Sequence, residues 1–301
     1  MRELLIRQGL QEFLTCDLIS PTLSSLCFEK ELGKKEEIAV IKPSSLDQSI
    51  LRMSLLPGLL NAVLHNFDRK NREISAFEIG QVHFKEGEHY RERLSAAILL
   101  TGNRSPYHFT EKGTPLDFFD LKGILESILE GASYHPSHLT SFHPGKQAAV
   151  YLGDSQIGVM GEVHPALLER IGIESSILFA QLDLEELMAQ PKKPREVQPL
   201  PLYPGSERDW TLTLQKELSV QRIFEILQNF RSKLLKEVIL LDLFESEKLG
   251  KGVKNVTFRF TYRSDSSTVE QQEVDREHQR MMEKVESKLK IDEPKNPSLE
   301  G

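Results

Sequence analysis

Cysteine is nearly absent: 301 residues hold only Cys16 and Cys27. Two thiols leave no second pair with which to build a tetrahedral metal centre. A chain of this length also has no need of a disulfide, although a bridge between the two stays open. A reducing cytosol is the simplest compartment. No apolar run approaches the roughly 20 residues that cross a bilayer. The opening stretch MRELLIRQGLQEF is amphipathic and mixed in charge, so it lacks the apolar centre of a secretory signal. There is no internal repeat and no long low-complexity tract. An excess of positive charge is missing too: 38 basic residues stand against 45 acidic, a net charge of −7.

The charge that is present is uneven. From Pro191 onward there are 20 basic and 19 acidic residues, which leaves 18 and 26 before that point. The acidic first part argues against nucleic acid lying broadly across it, and the second part is the better polyanion binder. Between them lies PKKPREVQPLPLYPG, with five prolines in fifteen residues, which reads as an extended linker over 191–205. Hydrophobic residues at 39% and charged residues at 28% supply an ordinary core for a domain on each side.

Before the linker, the pattern predicts a helix over 2–8 stopped by Gly9 and another in LLPGLLNAVLHNF opened by Pro57. AFEIGQVHF reads as a strand, LSAAILLTG as a fully apolar central strand, and 115–131 as a helix with Phe118, Leu121, Ile124, Leu125 and Ile128 on one face. QAAVYLG and QIGVMGEV pair across Gly153 and Asp154, HPALLERIGI is a short helix, and ILFAQLDLEEL a further strand. After the linker, Trp210, Leu212 and Leu214 alternate in one strand, Ser219 caps a helix, KEVILLDLF is a strand, and Val256, Phe258, Phe260 and Tyr262 share one face of another. Thr268 to Gln271 reads as a capping box that opens a long helix through Val274, His278, Met281, Val285 and Leu289. The class is α+β with a largely antiparallel first sheet, then β-α-β-β-α with a last strand short or absent.

Several separated stretches point to a family. LRMSLLPGLLNAVLHN resembles a Leu-Arg-x-Ser-Leu-Leu-Pro-Gly-Leu-Leu helix start, and FEIGQVHF resembles a Phe-Glu-x-Gly-x-Val-Phe strand. FHPGKQAAVYLGDSQIGVMGEVHPALL is similar to a His-Pro-Gly and Gly-x-x-Gly-x-x-His-Pro pattern, and LYPGSERDWTLTL to a Tyr-Pro-x-x-x-Arg-Asp strand. In this order the set resembles the C-terminal region of the beta subunits of bacterial phenylalanine–tRNA ligases, over about residues 1–290. The resemblance implies a class II aminoacyl-tRNA synthetase-like pseudo-catalytic domain at 1–190, with an antiparallel sheet. It implies a ferredoxin-like (β-α-β-β-α-β) anticodon-binding domain at 206–291 and a disordered tail at 292–301. It also implies that the sequence is a piece of a longer chain, in a cytoplasmic α2β2 assembly with an alpha subunit and phenylalanine tRNA. ATP and magnesium serve the holoenzyme and not this part.

Class II enzymes of this kind hold the ATP α-phosphate with an arginine after the glutamate-bearing strand, and the γ-phosphate region with another in a Gly-x-Gly-x-Glu-Arg stretch. Here Phe84 stands at the first arginine position and Leu187 at the second, with Leu182 and Leu184 where the glycines belong. A phenyl ring and an isobutyl group donate no hydrogen bonds to phosphate, and Lys85 is a point charge one residue out of register. No catalytic residue is expected. A chain that makes aminoacyl adenylate by itself is the enzyme alternative, and a free-standing accessory RNA-binding protein is the other. A small-molecule sensor in the second domain is a third possibility.

Other candidates read more plainly as structure. Glu78, Glu86 and Glu88 fit a solvated strand edge and loop better than a magnesium site, and His135, His138 and His143 have no cysteine near them. Ser54 and Ser206 lack a histidine–carboxylate partner pattern, and Gly158-Val-Met-Gly161 lacks the Gly-Lys-Ser/Thr of a phosphate loop. Arg52 faces either the partner subunit or a carboxylate in its own domain, and we expect it at the subunit interface. From Arg231 to Arg263 eight basic residues meet four acidic ones. Lys248, Lys251, Lys254, Arg259 and Arg263 are therefore the expected tRNA contacts, with Arg259 on an open sheet face beside Asn255, Thr257 and Thr261. That face carries no clear aromatic stripe. Arg208 and Asp209 are read as an internal pair.

Overall fold

The computed structural model describes residues 1–26, 35–110, 112–191, 200–246, 249–250 and 252–292. The chain divides into two compact units, 1–193 and 194–301. Most of the linker stretch and the tail lie outside the described residues.

In the first unit α1 (Arg2–Arg7) leads to β1 (Gln11–Glu12), β2 (Leu18–Ile19), α2 (Pro21–Ser24), β3 (Lys35–Glu36), β4 (Ile38–Ala39) and β5 (Ile50–Leu51). Then come α3 (Leu56–Phe67), β6 (Ile74–Glu86), β7 (His89–Thr101), α4 (Phe118–Ile128), β8 (Ala132–Pro136), β9 (Phe142–Leu152), β10 (Ser155–Val163), α5 (Pro165–Arg170), β11 (Leu178–Asp183) and α6 (Leu184–Ala189). The main sheet runs β1-β6-β7-β11-β10-β9-β8, with β3 also on β6, and every pairing except β1 with β6 is antiparallel.

Both faces of this sheet are covered, which is why LSAAILL is apolar without alternation. Leu56, Leu59, Leu60 and Val63 of α3 pack on one face with Ala76, Ala97, Leu99 and Phe179. Leu121 and Leu125 of α4 pack on the other with Phe77, Ile98, Leu100 and Ala180. Helix α4 begins at Phe118 rather than at Pro115. Asp117 accepts from the backbone of Phe119 and Asp120, and the Asp120 side chain closes the box back onto Asp117 N–H. The expected strand over ILFAQLDLEEL ends at Asp183, because its carboxylate caps α6 through the N–H groups of Glu185 and Glu186 at 3.0 and 3.1 Å.

In the second unit β12 (Ser206–Gln215), α7 (Val220–Gln228), β13 (Leu235–Phe244), β14 (Val253–Tyr262) and α8 (Gln271–Asp292) follow the β-α-β-β-α order. The sheet order is β12-β14-β13, all antiparallel. Val256, Phe258, Phe260 and Tyr262 are wholly buried against Ile223, Val274, Met281 and Val285. The capping box expected at Thr268 is not where α8 starts: the helix opens at Gln271, and Glu270 C=O accepts from Val274 N–H at 3.1 Å.

Candidate functional site

Arg52 follows β5, and its carbonyl accepts from His83 N–H at 2.8 Å, which fixes it beside β6. The side chain is 3% exposed and reaches Glu78 and Asp17, each at 2.7 Å. It also donates to the Gln81 carbonyl at 3.0 Å and to Thr15 Oγ1 at 2.9 Å. Thr15 in turn donates to Glu78 through both backbone and hydroxyl. The expectation of a subunit contact is thus corrected: the guanidinium is taken up inside its own domain. Glu78 is corrected with it, being buried rather than solvated, whereas Glu86 and Glu88 are exposed. A Cβ at Gly80 collides with the Arg52 guanidinium, and one at Gly58 with the Thr15 side chain. The glycines of FEIG and LLPG are therefore the space this buried pair needs. Ser54 is structural too, donating to Gln181 Oε1 at 2.9 Å and accepting from Leu56 N–H.

Beside this network lies a cleft of about 250 Å³. Val82 and Phe84 of β6, Arg93 and Ser95 of β7, Gln181 and Asp183 of β11, and Ile157 and Val159 of β10 line it, with Lys35 and Glu186 at its sides. Phe84 is 1% exposed and packs on Met53. The Lys35 ammonium and Arg93 guanidinium lie 4.6 and 5.6 Å from its ring centre. Arg93 is tied to Asp183 at 2.7 Å. The lining carries two cations and two anions and so has no net charge with which to hold a polyphosphate. Leu182 and Leu184 are buried, and Leu187 packs against the same core as α4. A nucleotide and its metal do not fit this donor set.

The histidines of the first unit are placed by local structure. His143 Nδ1 accepts from Gly145 N–H at 3.1 Å, His135 lies edge-on to Tyr151, and His164 caps α5 by accepting from Ala166 N–H. Among the described residues no group of three His, Cys, Asp or Glu side chains is placed to hold a metal ion. Cys16 is exposed with a free thiol, and Cys27 lies outside the described residues. Among the described residues no helix is long and apolar enough to cross a membrane.

In the second unit three residues of the expected basic cluster, Lys254, Arg259 and Arg263, lie among the described residues. Lys248 and Lys251 lie outside the described residues. Lys254 shares the helix-side face with Val256, is 7% exposed and donates to the Lys216 carbonyl at 2.9 Å. Arg259 is on the open face, but Asp209 takes two of its N–H groups at 2.8 Å each and Glu207 lies 3.3 Å away. That fork draws the Asp209 carboxyl below its ordinary range. Arg263 is half-buried beside β13, its backbone N–H bonded to the Leu234 carbonyl at 2.7 Å. Arg208 and Asp209 do not pair with each other: Arg208 binds Asp275 and Gln271 of α8.

The open face also carries Glu237 and Asp242, opposite Thr261 and Thr257, together with a row of neutral side chains. Thr211 and Thr257 bond each other at 2.9 Å, as do Thr213 and Asn255. Phe244 pairs in register with Asn255 and is 51% exposed. This ring was missed because a single phenylalanine at the end of KEVILLDLF makes no stripe, and only the register sets it beside an amide. An exposed ring next to amide and hydroxyl groups suits stacking and edge contacts to an unpaired base, where a lysine cluster suits phosphate.

Comparison with known proteins identifies the family. Residues 1–184 match the family model described as phenylalanyl tRNA synthetase beta chain CLM domain. Residues 201–292 match the ferredoxin-fold anticodon binding domain. The phenylalanine–tRNA ligase beta subunit of Protochlamydia amoebophila is 44% identical over 96% of this chain and 37% of its own length. That of Chlamydia caviae is 30% identical over 95% of this chain and 36% of its own. The chain spans a little over a third of the length of these relatives. Among solved structures, a pyrrolysyl tRNA synthetase from Desulfitobacterium hafniense aligns with a TM-score of 0.46 at 19% identity, over 62% of this chain and 64% of that one.

Proposed function

The chain belongs to the phenylalanyl-tRNA synthetase beta chain family, and from that premise we propose that it serves as a non-catalytic part of a two-subunit phenylalanine–tRNA ligase. The first domain, 1–190, docks the alpha subunit, which carries the chemistry with ATP and magnesium. The second domain, 206–291, contacts the anticodon region of phenylalanine tRNA. The assembly is α2β2 and works in the cytoplasm.

Phe84 carries the reading. It stands, buried, where the resemblance puts a phosphate-holding arginine, and the neighbouring charges cancel. Adenylate formation gathers negative charge at the phosphates, and a cleft whose one guanidinium is tied to Asp183 gives that charge little stabilisation. Exposed apolar side chains on the same unit, among them Leu4, Ile6 and Leu14, offer a partner something to cover. For the second unit, Phe244 beside Asn255 supports base contact.

The test is assembly and turnover together. This chain mixed with the alpha subunit and phenylalanine tRNA, then weighed by mass photometry, is expected to form a complex with both. ATP–pyrophosphate exchange with phenylalanine is expected from the mixture and not from this chain alone. Exchange by the purified chain, or no complex with the alpha subunit, overturns the reading.

A further inference from the structure

The sheet of the second unit has an apolar edge that contact with tRNA does not need. In the order β12-β14-β13, strand β13 bonds only to β14, so its outer side has no strand beside it among the described residues. The strand is ten residues long, contains no proline, and exposes Ile239, Leu240, Leu241 and Leu243 at 42–45%. Both faces take part: Ile239 stands opposite Arg259 on the open face, and Leu240 opposite Phe258 on the side of the helices. The other edge differs: outside its apolar row, β12 carries Glu207, Asp209, Thr211 and Thr213. Register shifts at 236 and 241 leave the run 237–240 of β13 regular. A long apolar edge with unpaired N–H and C=O groups is a template for another strand.

The strand's own sequence fits a second copy of itself. LKEVILLDLF carries three charges, Lys236, Glu237 and Asp242. Laid antiparallel on a copy about a two-fold axis at Ile239, it sets Lys236 opposite Asp242 twice, once from each chain. Val238 then meets Leu240, Leu235 meets Leu243, and Ile239 meets its equivalent; among the charges, Glu237 alone faces an apolar residue, Leu241. Sliding the copy by two residues in either direction, the step that keeps the faces matched, sets all three charges against apolar side chains. Asp242 is exposed and has no ion-pair partner among the described residues. Lys236 donates to Asp265 at 2.7 Å, and its ammonium has three N–H groups to share. We infer that the chain self-associates through β13, joining two three-stranded sheets into one continuous sheet with Lys236 and Asp242 paired across the junction. This contact requires neither the alpha subunit nor tRNA, and it stands without the proposed function.

Sedimentation equilibrium of the whole chain from about 1 to 200 µM is expected to show monomer and dimer in exchange. Hydrogen exchange is expected to slow at 237–241 as concentration rises. Ile239→Lys places two like charges on the axis and is expected to weaken the dimer about tenfold or more. Lys236→Asp and Asp242→Lys each oppose like charges in their own dimers, so each alone is expected to associate several-fold more weakly. An equimolar mixture of these two variants matches every charged pair again and is expected to recover the lost affinity. All three positions are exposed, and unchanged circular dichroism verifies that each variant is folded. A monomer throughout the range, a dimer that Ile239→Lys leaves unchanged, or a mixture that associates no more tightly than its separate variants each overturns the inference. So does protection of 237–241 that follows the alpha subunit and not the concentration of this chain. Complex formation with the alpha subunit is read separately on the same preparations.

Discussion

Arg52 and Glu78 are both within 3% of complete burial and lie 2.7 Å apart. Breaking a pair of this kind leaves one charge in the core without compensation, which costs about 3–5 kcal/mol. Arg52→Ala is therefore expected to destabilise the first unit by about that amount in urea unfolding. Glu78→Gln is expected to cost less, because the amide can still accept from Thr15. Phe244 is expected to act on binding instead. Exposed and outside the core, its removal leaves stability nearly unchanged. Phe244→Ala is expected to weaken anticodon stem–loop RNA binding by about 1–3 kcal/mol in a fluorescence titration. An effect no larger than that of a distant surface alanine removes the ring from the RNA site. Both residues stand in the sequence, but their partners do not. The spacing from Arg52 to Glu78 and back to Thr15 follows no helix or strand period, so only the folded backbone joins them.

Elements were read with more success, because their signals are local. The stop at Gly9, with φ of +81°, and the turn at Gly153, with φ of +62°, stand where the glycines announced them. Errors arose where a side chain competed with the apolar pattern. Asp183 ended a strand four residues short of the expected end at Leu187, and Asp117 moved the start of α4 past Pro115 and Leu116. Asp117 accepts from two backbone N–H groups, so Asp117→Ala removes both of those bonds, while Asp120 still accepts from the backbone N–H at 117, and is expected to cost about 1 kcal/mol. Thermal melting of the first unit measures it, and Asp117→Asn is expected to recover most of the loss.

At the scale of the molecule, each unit has its own core, so cooperative unfolding is expected in two transitions rather than one. They are expected to respond differently to acid. His278 accepts or donates at 2.9 Å with the Tyr262 hydroxyl, and burial, then the nearby Arg208, lowers its pKa below the ordinary histidine value. The sign follows: between the two values the unfolded chain binds the proton and the folded chain does not, so stability falls as pH drops below the unfolded pKa of about 6.5. The second transition is expected to move down between about pH 7 and 5, and His278→Gln is expected to flatten that contribution. Scanning calorimetry across this range separates the two.

The sequence by itself determined the α+β class, the long strands and helices, and the family, because these rest on periodicity, on caps and on motifs in order along the chain; the short β1 to β5, β8, α2 and α6 carry too few residues to show a period. It also set Phe84 and Leu187 at the positions where the resemblance puts arginines. Only the tertiary structure decided which charges are free. Arg52, Lys254 and Arg259 look alike as letters, yet the fold sends one into a buried pair, one under the helices and one onto Asp209. Charge is written in the residue; whether water, a partner or a neighbouring carboxylate satisfies it depends on chain segments far apart in sequence.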